Sequence, residues 1–547
     1  MVYDYEQERT KWSVISNLNL NHVMKHSVNT SSRRQFLGEI GKGTLAVTVG
    51  PLMAAELGLA SPALAEETPK ALHFGPLEPL VSFMQETEIS KFQAALVQKL
   101  QQGETLDRLV AAAALANART FGGEDYVGFH TLMAMTPALR MSRSLSAERA
   151  ALPVLKVLYR NTNRIQEKGG RSNEVLSALT PTDGTPPSES LRDLVRRKDT
   201  AGAERCLSAL AKTKPESALD ALLEAVQEDT EVHRTVLPYR AWDLLDVVGR
   251  DHAETLLRQS VRYCINAEGW RSPEWDAHSA VLVKLFDQFS LMSKPTGNRP
   301  AEDQWVLKLS ETIFTSTPAL AAEAVAAALA EGFSPAVIGE ALSLAANQLV
   351  LRDHGRTPSM EVSGKPVGSV HGDSIGVHAS DSANAWRHLA AVSGPRNAHA
   401  CLILGAWQMA RDRTARGGDF ANWEPLPLQQ HLKGLSTTDP AAILLEADEA
   451  IRQNLQARAS AIIHHYGQLG HPATPAFDLM LRHATNEDGS LHAEKYFQTA
   501  RNDFESTRPA LHWRHLVGLA RVTASEFGRP APGQAEARSL LGLGGSA

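Results

Sequence analysis

Apolar residues recur three and four positions apart along almost the whole chain, and no stretch alternates β-branched with polar residues over a strand's length. That spacing puts one apolar stripe on each of a long series of helices, because 3.6 residues make a turn. It predicts helices over 89–101, 106–119, 127–135 and 148–167, with Thr105 as an N-cap and Gly103 and Gly122-Gly123 as breaks. The run Thr180-Pro-Thr-Asp-Gly-Thr-Pro-Pro-Ser188 predicts an exposed linker. Short helices then follow in close pairs, over 189–197, 201–212, 216–228, 232–248 and 252–267, and again over 273–287, 303–315, 317–331 and 334–352. A long irregular stretch, 354–378, interrupts the pattern; loops of this length inside a domain commonly carry function. Helices resume over 380–393, 396–414, 438–466, 474–484 and 492–525, and the Gly-, Pro- and Ala-rich tail 528–547 is expected to be disordered. The expectation is an all-α fold of stacked helical hairpins, an irregular α-solenoid or multi-helix array without a fixed repeat. It divides into an N-terminal helical region (66–180), a helical-hairpin region (189–353), the loop, and a C-terminal helical region (379–527).

The first 65 residues follow a different logic. Ser32-Arg33-Arg34-Gln35-Phe36-Leu37 is followed by a moderately apolar run from Gly43 to Ala55 and by Ala63-Leu64-Ala65. This order resembles the twin-arginine signal family, with Gly38 where a basic residue is usual. The resemblance implies recognition of Arg33, Arg34, Phe36 and Leu37 by the Tat translocase, folding before transport, and cleavage after Ala63-Leu64-Ala65, so that the mature chain begins near Glu66. The exported chain would then be periplasmic or secreted. Met24 offers a second start besides Met1. The apolar run is too short and too Gly-rich for a stable span, so no integral membrane protein is expected after cleavage.

Composition narrows the chemistry. With 55 Lys+Arg against 61 Asp+Glu the net charge is −6, and no basic block occurs, which argues against a nucleic-acid partner. Cys206, Cys264 and Cys401 each sit in an apolar helical pattern and read as buried thiols. No C-x-x-C-H occurs, so covalent haem attachment is excluded. There is no H-E-x-x-H, no G-x-S-x-G and no dinucleotide fingerprint.

Histidines remain. The densest cluster runs through His371, Asp373, His378, Asp381, Asn384 and His388, where a Gly-rich turn leads into a helix. Imidazole and carboxylate are the common ligands of zinc, iron and copper. His130 lies in a helix apolar on every side, where each ring nitrogen needs a partner or a metal, and Asn117 is one partner within reach. His252 opens another buried helix. The expected metal ligands are therefore His130, His252, His371, His378 and His388. Asp373, Asp381, Asn384 and Asn117 would support them, around iron, copper, zinc or a non-covalent haem. The plainer alternative is that these are helix caps, satisfied core histidines and surface polar groups.

Leu115-Ala-Asn117-Ala-Arg119-Thr-Phe-Gly-Gly with Gly128-Phe-His130, and the later His378 with Asn384-Ala-Trp-Arg387, resemble uncharacterised helical, His-containing bacterial proteins and the helical part of questin-oxidase-like proteins. The resemblance spans some 40 residues. It implies an oxidative function and assigns no catalytic residue. Two readings follow: an exported metal- or haem-dependent oxidoreductase with a histidine-lined pocket, or a non-catalytic helical scaffold that binds a protein, peptide or glycan. The first requires His130 and His378 to converge in space.

Overall fold

The computed structural model describes residues 71–179, 190–363, 365–370, 372 and 374–544. The signal residues Arg33, Arg34, Phe36, Leu37, Ala63 and Ala65, the linker, His371 and Asp373 lie outside the described residues. Among those described, 23 α-helices and short 3-10 turns occur and no strand, which makes the fold the all-α multi-helix array that the periodicity predicts. In chain order these are α1 Glu78–Glu86, α2 Ile89–Gln101, α3 Leu106–Phe121, α4 Tyr126–Ser142, α5 Leu152–Glu167, α6 Leu191–Arg196, α7 Thr200–Thr213 and α8 Pro215–Val226. Next come α9 Val232–Val248, α10 Ala253–Ala267, α11 Pro273–Gln288, α12 Asp303–Thr315, α13 Pro318–Ala330, α14 Pro335–Arg352, α15 Ile375–Val392 and α16 Pro395–Asp412. The chain closes with α17 Gln429–Leu432, α18 Pro440–Arg452, α19 Gln456–Gln468, α20 Ala473–Asn486, α21 His492–Ser506, α22 Trp513–Glu526 and α23 Gln534–Leu540. They form one compact unit, Pro69–Ala547.

Neighbours in sequence pack as hairpins: α3 on α4, α7 on α8, α9 on α10, α14 on α15, α15 on α16, α18 on α19 and α21 on α22. Superposed on this order is a closed ring. Helix α4 packs on α9, α9 on α15, α15 on α21, and α21 back on α4. Two features fix α15 in place. Trp386 is fully buried and donates its indole N–H to Gln408 Oε1 at 2.8 Å. A Cβ at Gly376 would fall 2.6 Å from the backbone nitrogen of Val350, so only glycine lets α15 lie this close to α14.

The larger departures from the periodicity have local reasons. Helix α15 starts at Ile375, inside the stretch expected to be a loop to 378, because Ser374 caps it there. Pro137, which ends the predicted helix at Met135, sits inside α4. The 438–466 span breaks at Asn454, held at φ 54° between α18 and α19. The 492–525 span breaks at Thr507-Arg508-Pro509 between α21 and α22, where proline cannot continue a helix. The tail, expected to be disordered, forms α23: Ala537 is fully buried, and Gln534 Nε2 donates to Thr485 O at 2.9 Å.

The three cysteines are buried and free, as their apolar setting suggests. Among the described residues no helix is long and apolar enough to cross a membrane.

Candidate functional site

The ring of four helices brings one histidine each from α4, α9, α15 and α21 to a common point, and all four lie in the first turns of their helices. Local chemistry fixes each start. Asp125 caps α4, accepting from Gly128 N at 2.8 Å, and Asn117 Nδ2 donates to Gly128 O at 2.8 Å. Glu231 caps α9 by accepting from Arg234 N at 2.8 Å. Ser374 caps α15, accepting from Val377 N at 3.3 Å. Helix α21 begins differently: Ser490 and Leu491 both hold positive φ, 49° and 66°. Non-glycine residues in this region cost about 1 kcal/mol or more each, and such strain gathers at functional sites. Here it turns the Ser490 carbonyl onto the His492 ring.

The rings of His130, His233, His378 and His492 form a closed circuit, with centroids 4.8 Å (130–233), 5.8 Å (233–378), 5.4 Å (378–492) and 5.2 Å (492–130) apart. His130 Nε2 lies 3.2 Å from His233 Nε2, and His378 Nε2 lies 3.4 Å from His492 Nε2. Three of the opposite nitrogens are occupied. His130 Nδ1 donates to Tyr126 O at 2.7 Å, and His492 Nδ1 to Ser490 O at 3.1 Å. His233 Nδ1 meets Glu231 Oε1 at 2.7 Å, and the other oxygen of Glu231 accepts from Tyr263 Oη at 2.8 Å.

These bonds settle the tautomers. A carbonyl or a carboxylate accepts only, so the proton of each neutral ring is on Nδ1 and its lone pair on Nε2. His130 and His233 therefore face each other lone pair to lone pair. Such a contact repels unless a proton or a metal ion lies between them. A proton on His130 is opposed by its surroundings, whereas His233 has the Glu231 carboxylate at its other nitrogen. Burial, then the charge of Lys495 and then His233, holds His130 well below the usual histidine value. Burial, Lys495 and His130 do the same to His492. The positive ends of the four helices act in the same direction.

Around the rings, Glu231 is drawn down to about 2, since its contacts with His233 outweigh a burial that acts the other way. Lys495, one turn along α21 from His492, is lowered by burial to about 8, with Asp381 opposing. Asp381 itself accepts from Thr499 Oγ1 at 2.8 Å, and burial raises it. His130 and His492 are buried, 3% and 4% exposed, and form the floor. His233 and His378 are half-buried and form the mouth. The loop preceding α15 reaches the floor: a Cβ at Gly372 would fall 2.1 Å from His492 Cβ, so glycine is required where the loop crosses that ring.

Of the residues singled out in the sequence, His130 and His378 thus converge. His371 and Asp373 flank Gly372 in sequence and lie outside the described residues. Asn117 Nδ2 donates to Gly128 O and Asn161 Oδ1, Asp381 accepts from Thr499 two turns into α21, and Asn384 Nδ2 donates to Asp503 Oδ1 at 3.2 Å. His252 packs edge-on against Phe74 at 5.9 Å, and His388 stacks on Tyr239 at 4.8 Å. Among the described residues neither ring touches the four. His233 and His492 were not singled out; the one signal was Glu231-x-His233 at a helix start.

His388 provides a check on the electrostatics. Burial, then Arg387 and Arg240, lowers it to about 3. A histidine with a depressed folded value takes up its proton only on unfolding, so stability is intact above about 6.5 and is lost as pH falls toward 3. Between pH 7 and 5 this costs about 2 kcal/mol. His388→Phe, which keeps the stack on Tyr239, should therefore flatten the pH dependence of urea unfolding by about that amount. An unchanged slope would refute the assignment.

Among the described residues no group of three or more His, Cys, Asp or Glu is placed so that it could hold a metal ion; the four imidazoles stand as two abutting pairs. The spacing within each pair is that of two ligands on one ion. Metal–nitrogen bonds of about 2.05 Å in a tetrahedron separate nitrogens by about 3.3 Å. No protein-family model matches this chain, and neither a curated protein nor a solved structure matches it.

Proposed function

We propose that the chain is an oxidoreductase whose reaction takes place at a single non-haem transition-metal ion held by His130, His233, His378 and His492. The observation that carries this is the pair of facing Nε2 atoms at 3.2 Å, each ring anchored by a bond at its Nδ1. Nitrogen-only ligation without thiolate suits iron, copper and zinc. A bare ion fits better than haem, because two imidazoles trans on a haem iron stand about 4 Å apart with a porphyrin plane between them.

Iron and copper are favoured over zinc by the asymmetry of the site. A structural zinc centre is closed on every side, whereas here His233 and His378 are only half-buried. Such an ion would supply one-electron chemistry and activation of a bound oxygen donor.

The protein's own groups have separate tasks. Glu231 orients His233 and raises the basicity of its Nε2, the role of the carboxylate partner in a carboxylate–histidine–metal triad. The Tyr126 and Ser490 carbonyls do the same for His130 and His492. Four helix N-termini and Lys495 place positive potential at the floor. An outside ligand carrying an anionic oxygen, such as a phenolate, enolate or carboxylate, would balance it. Convergent polar groups of this kind also favour a reaction centre over a non-catalytic scaffold. Export through the Tat route, if the N-terminal resemblance holds, allows the ion to be loaded during folding in the cytoplasm.

The test is elemental analysis of the purified full-length chain, with nitric oxide as a probe of the iron(II) form. About one equivalent of iron or copper and a nitrosyl signal from an open coordination position are expected. A chain that holds no transition metal after reconstitution, or one that holds zinc alone with no outside ligand, would overturn the reading.

A further inference from the structure

A second site lies away from the histidine ring and shares no lining residue with it. An open cleft is walled by the end of α20, the end of α18, the turn before α5 and the tail helix α23. Its floor is apolar, from Leu145, Leu152 and Phe527. Its rim carries four guanidinium groups, Arg149, Arg452, Arg482 and Arg538.

The two carboxylates in the wall do not neutralise this rim. Asp448 is already engaged by Arg452 at 3.1 Å and by His483 at 2.7 Å. Glu487 accepts from the backbone of Arg529 as its near neighbour, and burial raises its carboxyl above the usual range. Arg149 and Arg482 make no side-chain hydrogen bond or ion pair among the described residues, and both are exposed on the rim. Arg538 is brought to the cleft by α23, the helix that the tail sequence did not announce. Arg452 lies over the Phe527 ring at 5.7 Å, so a charged and an aromatic wall meet at one edge.

We infer that this cleft binds a small organic anion, an apolar or aromatic body bearing a carboxylate. The body covers Leu145, Leu152 and Phe527, and the carboxylate takes the forked donors of Arg149 and Arg482, which match two oxygens at once. A purely inorganic anion would leave the apolar floor wet. A neutral aromatic would give Arg149 and Arg482 no acceptor.

Calorimetric titration of the full-length protein with 1-naphthoate tests this, with 1-naphthamide and inorganic phosphate as comparisons. Saturable one-to-one binding of naphthoate is expected, weakened about tenfold or more by the double substitution R149Q/R482Q, a change of about 1.4 kcal/mol. Naphthamide should bind at least about tenfold more weakly. The same titration on His492→Ala separates this cleft from the metal site, since naphthoate could also ligate an ion; binding there should be unchanged. No saturable binding at millimolar naphthoate, phosphate binding as tight as naphthoate, or loss of binding in His492→Ala with retention in R149Q/R482Q would each overturn the inference.

Discussion

His492→Ala should strip the protein of its metal, lowering affinity by more than about 100-fold, while the helical fold is retained. The size follows from a comparison of roles. Groups that only orient a ligand cost about 10–100-fold in metal affinity when removed, so a ligand itself must cost more. His492 lies on the buried floor, where no solvent can replace the missing nitrogen at low cost. Glu231→Ala removes only the anchor of His233 and should fall in the 10–100-fold range. His388→Phe, whose ring faces Tyr239, should leave metal content unchanged. Competition titration with a chromogenic chelator would rank the three variants, and circular dichroism would confirm that each is folded. An order in which Glu231→Ala loses more metal than His492→Ala would remove His492 from the ligand set.

The difference between what the sequence made legible and what it did not is physical. The helices could be read where their stripes face one core, as in α12, whose predicted bounds match those observed. His130 was legible because its helix has no polar face on which a histidine could rest. His378 was legible because glycines and histidines together mark a loop that approaches something closely, and Gly372 against His492 bears this out. His492 was not legible, since α21 reads as a surface helix. His492, Glu494, Lys495, Gln498 and Thr499 are all polar, and all are buried. Periodicity reports apolar burial alone, so a helix that buries its polar face in a site is read inside out. His233 was missed for a related reason: its meaning comes from Glu231 and from a partner 103 residues away.

Lys156→Met should destabilise the protein by about 3–5 kcal/mol, the range for removing one partner of a buried ion pair. Lys156 and Glu494 are both fully buried, with Nζ 2.7 Å from Oε1. The ammonium also donates to Ala484 O at 2.9 Å and to Glu487 O, so it closes the carbonyl end of α20 as well as balancing α21. Without it, Glu494 is left as a buried anion, with Glu526 nearby, a carboxyl that burial has already raised to about 8. The variant's deficit must then depend on pH. A buried carboxylate without a cation costs most when ionised, so the deficit shrinks as pH falls. Replacing both partners, as in Lys156→Met with Glu494→Leu, removes the stranded charge and should recover most of the loss. The two carbonyls that lose a donor keep about 1 kcal/mol each of it. Urea denaturation of the wild type, the single and the double variant at pH 8 and pH 5 would measure all of this. A single variant within 1 kcal/mol of wild type (about one lost hydrogen bond), or a double variant no better than the single, would show that the pair is not what holds α5, α20 and α21 together. Because Glu494 is two residues from His492 on the same helix, a loss of this size would also loosen the floor of the histidine ring, so metal retention in the single variant should decline in step with its stability and return in the double.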